Sequence, residues 1–61
     1  MSEREREVLS LLTTHLSSTE IAQELVISVH TVRSHMKSIY SKLDVHSRRE
    51  AVARAQHLGL L

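Results

Sequence analysis

The sequence has no cysteine, no proline, no tryptophan and no phenylalanine, and only one glycine, Gly59, and one tyrosine, Tyr40. Without cysteine there are no disulfides and no thiolate metal sites. Without proline, and almost without glycine, little in a Leu-, Ser-, Glu- and Arg-rich chain interrupts a helix. No apolar run approaches the roughly 18 residues of a membrane span, and no basic-then-apolar leader opens the chain. A soluble cytoplasmic domain is expected, with no membrane partner. The 61 residues suffice for one small domain, which buries only roughly 60% of the surface its unfolded chain exposes. A hydrophobic content of 41% with a net charge of +1 makes that domain globular rather than disordered.

The small net charge hides an asymmetry. Residues 1–29 carry Arg4 and Arg6 against Glu3, Glu5, Glu7, Glu20 and Glu24, a net −3; residues 30–61 carry Arg33, Lys37, Lys42, Arg48, Arg49 and Arg54 against Asp44 and Glu50, a net +4. A basic half on a small helical domain suggests a polyanionic partner.

Serines punctuate the chain. Ser2–Glu5, Ser17–Glu20 and Ser47–Glu50 each have the spacing of a capping box, in which serine and glutamate satisfy each other's backbone amides. Ser28 is a fourth N-cap, but the residue three further on is Thr31. These signals predict an all-α, compact four-helix domain over residues 1–61. The first helix is expected from Glu3 to His15, burying Val8, Leu9, Leu12 and Leu16. The second, Ser18–Leu25, buries Ile21, Ala22 and Leu25. The third, Val29–Leu43, carries an apolar stripe of Val32, Met36, Ile39 and Leu43. The fourth follows Ser47 and ends near Leu58, with Ala51, Val52, Ala55 and Leu58 inward. Gly59 sits where a helix end favours a left-handed residue, and Leu60 can fold back beside it.

With that stripe buried, the third helix turns Arg33 and Lys37 outward, one turn apart, with His30, Ser34 and Ser41 beside them. No acid occurs between Val29 and Leu43. An ordinary solvated helix mixes both signs, so this surface is expected to meet an anion. A short helix, a tight connection at Val26–Ile27–Ser28 and a longer helix form a helix-turn-helix, whose second helix enters the DNA major groove. Arg33 and Lys37 can then reach guanine O6 and N7, with His30, Thr31 and Ser34 on phosphates or nearby base edges. Ser18, Thr19 and the Val29 amide lie at helix starts, where amides meet phosphate. Lys42 and Arg48 would extend the phosphate footprint.

The run IAQELVISVHTVRSHMKSIYSKLDVHSRREAVARA, preceded by SEREREVLSLL, resembles the DNA-binding domain of LuxR-type response regulators and quorum sensors over essentially the whole chain. The resemblance implies the C-terminal effector domain of a larger bacterial transcription factor, binding promoter DNA as a dimer on inverted or direct half-sites. It implies base contacts at Arg33, Ser34 and Lys37, a helix-turn-helix from Ser18 through Lys37, and self-association through the last helix. The outward residues there are Arg49, Val52, Ala53 and Gln56. So short a helix offers little surface, which predicts a monomer in solution that pairs on DNA. RNA polymerase is a further candidate partner. The sequence departs from the pattern at three glycine positions, occupied by His15, Val26 and Asp44. Asp tolerates a left-handed backbone, valine poorly, so the turn at Val26 either avoids positive φ or is strained.

Other readings have less support. Of the five histidines, His30 and His35 lie on different helix faces, whereas helical zinc pairs favour i, i+4; no metal or cofactor is expected. Tyr40 and His35 sit at the edge of the apolar stripe, as packing residues do. No serine has a base and oxyanion partner, and no concave pocket is expected in so small a bundle, so the chain is not read as an enzyme. A helical protein-interaction module would use the same basic face. A sigma-factor-like helix-turn-helix is disfavoured by the SRREAV segment after the third helix.

Overall fold

Each helix starts from a serine in extended backbone whose hydroxyl accepts the N–H of the residue three further on. The computed structural model, which describes residues 1–61, contains four helices and no strand: α1 (Glu3–Leu11), α2 (Ser18–Leu25), α3 (Val29–Leu43) and α4 (Arg48–His57). The boxes at Ser2–Glu5 and Ser17–Glu20 are complete, with the serine N–H donating to the glutamate Oε1 at 3.1 and 2.9 Å. The third is half formed: the Ser47 hydroxyl, not its amide, lies against Glu50 Oε1 at 3.4 Å. At Ser28 the place of the acid is taken by the Thr31 hydroxyl, 2.8 Å from Ser28 Oγ.

Three helices end in one way. Val26, Asp44 and Gly59 have φ of 56°, 55° and 73°. After each, an apolar residue donates its N–H back across the turn: Ile27 to Ala22 O, Val45 to Tyr40 O and Leu60 to Ala55 O, at 2.9–3.0 Å. This left-handed closure satisfies carbonyls that would otherwise be orphaned. The backbone thus adopts the strained of the two alternatives open at Val26.

The first helix stops at Leu11, short of the expected His15. Threonine accounts for the difference. Thr13 Oγ1 and Thr14 Oγ1 donate to the carbonyls of Ser10 and Leu11, and both amides donate to the same carbonyls, closing tight four-residue turns. Such side-chain bonds compete with the helical ladder. Leu12 caps the helix in a right-handed conformation, so no left-handed residue is required here and His15 is no liability.

α1, α2 and α4 all pack on α3. The core comprises Val8, Leu9, Leu12, Ile21, Ala22, Val32, Ile39, Leu43, Val45, Ala51 and Ala55. Leu16, Leu25, Met36, Tyr40 and Val52 close its edges, while Leu58, expected inward, is exposed. Burial pushes the Tyr40 phenol up, with the Arg48 charge opposing, in keeping with packing at the core's edge.

One charge is buried. Glu5 is only 5% exposed, and its Oε1 accepts from Lys42 Nζ at 2.7 Å, which ties the start of α1 to the end of α3. Lys42 first, then the Ser38 hydroxyl and the Ser2 amide, hold the carboxyl down to about 2 from an ordinary 4.5, while burial opposes them. Its charged form is therefore favoured in the folded state. The resulting stability is present above the unfolded pKa of 4.5 and is lost as pH falls toward 2.

Glu5→Gln should lower stability at pH 7 by roughly 1–2 kcal/mol, less than the shift alone implies because Lys42 shares its charge with solvent. It should also flatten the fall in stability between pH 5 and pH 2. Urea unfolding across that range measures both effects, and an unchanged pH profile would contradict the clasp. Val26 is 88% exposed, so Val26→Gly relieves its backbone at little packing cost. The melting temperature should rise by several degrees, about 1 kcal/mol; a fall would show that the turn is unstrained.

Candidate nucleic-acid interface

The core determines which side of α3 faces out. Val32, Ile39 and Leu43 are buried, and Val29, Met36 and Tyr40 are partly so. At about 100° per residue, the opposite side holds His30, Arg33, Ser34, Lys37 and Ser41, all exposed. The four residues expected to face bases thus share one surface. The chain's two ion pairs are Arg4–Glu7 and Lys42–Glu5, so Arg33 and Lys37 are unpaired. Neither a carboxylate nor another segment of the chain covers them.

The starts of α2 and α3 leave donors free. At each start the serine cap takes the third amide and its carbonyl takes the fourth. The first two N–H groups, those of Ser18 and Thr19 on α2 and of Val29 and His30 on α3, find no acceptor in the domain. Such orphan amides, with the positive helix end behind them, suit phosphate oxygens. Thr19 is exposed and Ser18 is half-buried. The Ser18 hydroxyl donates instead to Met36 Sδ at 3.5 Å, toward α3. The Thr31 hydroxyl is shared with Ser28.

Lys42 and Arg48 have partners within the domain that the sequence reading did not anticipate. Lys42 follows Lys37 by five residues, about 140° round the helix, and turns to α1 and Glu5. Ser38, four residues before it, lies on the same face of α3 and also lowers the Glu5 pKa; the 140° offset of Lys42 from Lys37 was the available signal. Arg48 opens α4 and reaches back to the end of α1. Its Nε donates to Leu12 O at 3.0 Å, and its Nη2 to Thr14 O at 2.8 Å and Leu11 O at 3.4 Å. Arginine's rigid fork thereby fills the place of a C-terminal cap. On α4, Arg49, Ala53 and Gln56 are exposed and Val52 is half-buried. All four line one groove of about 540 Å³ against Leu12 and Thr13. Open surface grooves are thus present where no concavity was expected. No His, Asp or Glu cluster could hold a metal ion, and no helix is long and apolar enough to cross a membrane.

The family model for bacterial regulatory proteins of the luxR family matches residues 1–55. The chain is 40% identical over 58 residues to the HTH-type transcriptional regulator MalT of Serratia proteamaculans and of Yersinia pestis. It is 36% identical over 58 residues to that of Vibrio campbellii. Each match covers 95% of this chain and 6% of the relative, so the chain spans only a small part of the length of these proteins.

Arg48→Met keeps the aliphatic stem and removes the two nitrogens that make the three hydrogen bonds. It should cost about 2 kcal/mol in chemical denaturation. A stability within 0.5 kcal/mol of the parent, roughly the scatter of ordinary surface substitutions, would contradict the capping role.

Proposed function

The chain belongs to the luxR family of bacterial regulatory proteins, and on that premise we propose that it regulates transcription by binding promoter double-stranded DNA, with α3 in the major groove. The observation that carries this reading is the outer side of α3, where two unpaired cations stand on a helix without one carboxylate. The names of the relatives, HTH-type transcriptional regulators, support it.

In this arrangement Arg33 reads guanine through its planar fork, and Lys37 adds a second, more flexible donor one turn further on. His30 and Ser34 meet adjoining base edges. The amides of Ser18, Thr19 and Val29, with the Thr19 and Thr31 hydroxyls, hold phosphates and set the register. Lys42 and Arg48 lie outside this footprint, because their cations already have acceptors. Two copies on neighbouring half-sites would associate through Arg49, Val52, Ala53 and Gln56, too small a surface to pair the chain in free solution. From such a site the bound protein could meet RNA polymerase.

Arg33→Ala should weaken binding to a site selected from random duplexes by about 1–3 kcal/mol and relax the base preference at one position. Lys37→Ala should weaken it too. If Lys37 meets phosphate, the slope of log affinity against log salt falls by roughly one; if it reads a base, the slope holds and specificity falls. Fluorescence anisotropy across a salt series distinguishes these outcomes. Unchanged affinity for both variants, or no binding to duplex at low salt, would favour a protein-interaction module instead.

A further inference from the structure

The four α4 residues proposed above for self-association line one side of a groove whose other side is Leu12 and Thr13, at the end of α1. The two sides belong to helices that each pack on α3. The hydrogen bonds that join α4 directly to the end of α1 all come from Arg48. Little else sets the angle of α4. Its buried residues are Ala51 and Ala55. Each is a single methyl group, which buries little area and interlocks poorly with a neighbour. Val52 adds a contact at the edge of the core. Arg48 supplies the missing direction. Its Nε and Nη2 reach the carbonyls of Leu11, Leu12 and Thr14, and a planar guanidinium held at two nitrogens fixes an angle as well as a distance.

We infer that Arg48 is the positioning residue for self-association: it sets the angle of α4 against α1, and with it the width of the groove against which α4 of a second copy packs. This rests on the pairing through α4 proposed above and states what holds that surface ready. Arg48 borders the groove, but its guanidinium turns to the carbonyls of α1, where the negative end of that helix favours a cation. Of the two arginines in the lining, Arg49 alone has no acceptor within the chain. So small a contact has few interactions to spare. A tilt of α4 that separates Val52 and Ala53 from Leu12 removes the apolar floor a second copy would meet, and a surface that must be reassembled on binding loses affinity. Lysine in place of Arg48 would keep a charge at the helix end but, as one flexible point, would not hold the angle.

The test uses duplexes carrying one selected site, or two such sites inverted or in direct repeat at several spacings, at a temperature where circular dichroism shows every variant folded. Titrations give single-site affinity and cooperativity separately. The parent chain should bind at least one two-site arrangement cooperatively. Arg48→Met and Arg48→Lys should each lower that cooperativity roughly fivefold, while single-site affinity stays within about twofold because Arg48 lies outside the DNA footprint. Glu5→Gln, which loosens the far end of α1, controls for lost stability and should keep the cooperativity of the parent. The role of Arg48 is overturned if either Arg48 variant keeps that cooperativity, if Glu5→Gln loses as much of it, or if single-site affinity falls along with it. A parent chain that binds single sites yet is cooperative on no arrangement would overturn the pairing and the role of Arg48 together, with DNA binding left standing. A parent chain that binds no duplex would overturn the DNA-binding reading as well.

Discussion

The apolar stripe of α3 is held by three helices at once, and the orientation of every polar side chain on that helix follows. Val32 and Ile39 are fully buried and Leu43 nearly so, each contributing on the order of 1.5–3 kcal/mol by leaving water. Rotating α3 by even one residue would expose this set and bury Arg33 or Lys37 without a partner, at a cost of several kcal/mol. Hydrophobic burial therefore fixes the outward face, and the charges there need no support from polar contacts within the domain. This is why a surface with no internal ion pair can still be well defined.

The other polar interactions keep the remaining helices in place around that stripe. Glu5 and Lys42 join the start of α1 to the end of α3, and Arg48 joins the end of α1 to the start of α4. Both link residues more than thirty positions apart, where a chain with so small a core gains most from added contacts. Three helix ends use left-handed closures that turn the chain sharply enough to bring short helices together. One of these is at Val26, in the connection between α2 and α3, where the sequence gives up some stability through an exposed valine in a conformation suited to glycine.

The helix starts were legible because serine capping is local: four serines predict four starts, and each holds. The core stripe was legible because its period is that of the helix. The end of α1 was not, since it depends on threonine hydroxyls and on Arg48, which arrives from 34 to 37 residues away. For the same reason Lys42 and Arg48 read as free cations in the sequence. Charge alone does not reveal an acceptor that only the fold brings near. The exposed set on α3 followed directly from the stripe. The inward turn of the Ser18 hydroxyl toward Met36 did not, because it depends on how α2 crosses α3.

The most direct test of the account is the amide spectrum of the isotope-labelled chain titrated with duplex DNA. Perturbations should concentrate on the first turns of α2 and α3, from Ser18 to Glu20 and from Val29 to Lys37, and leave Glu7, Glu24 and the exposed side of α4 unmoved on a single-site duplex. Perturbations confined to α1 and α4, with the outer side of α3 silent, would contradict it.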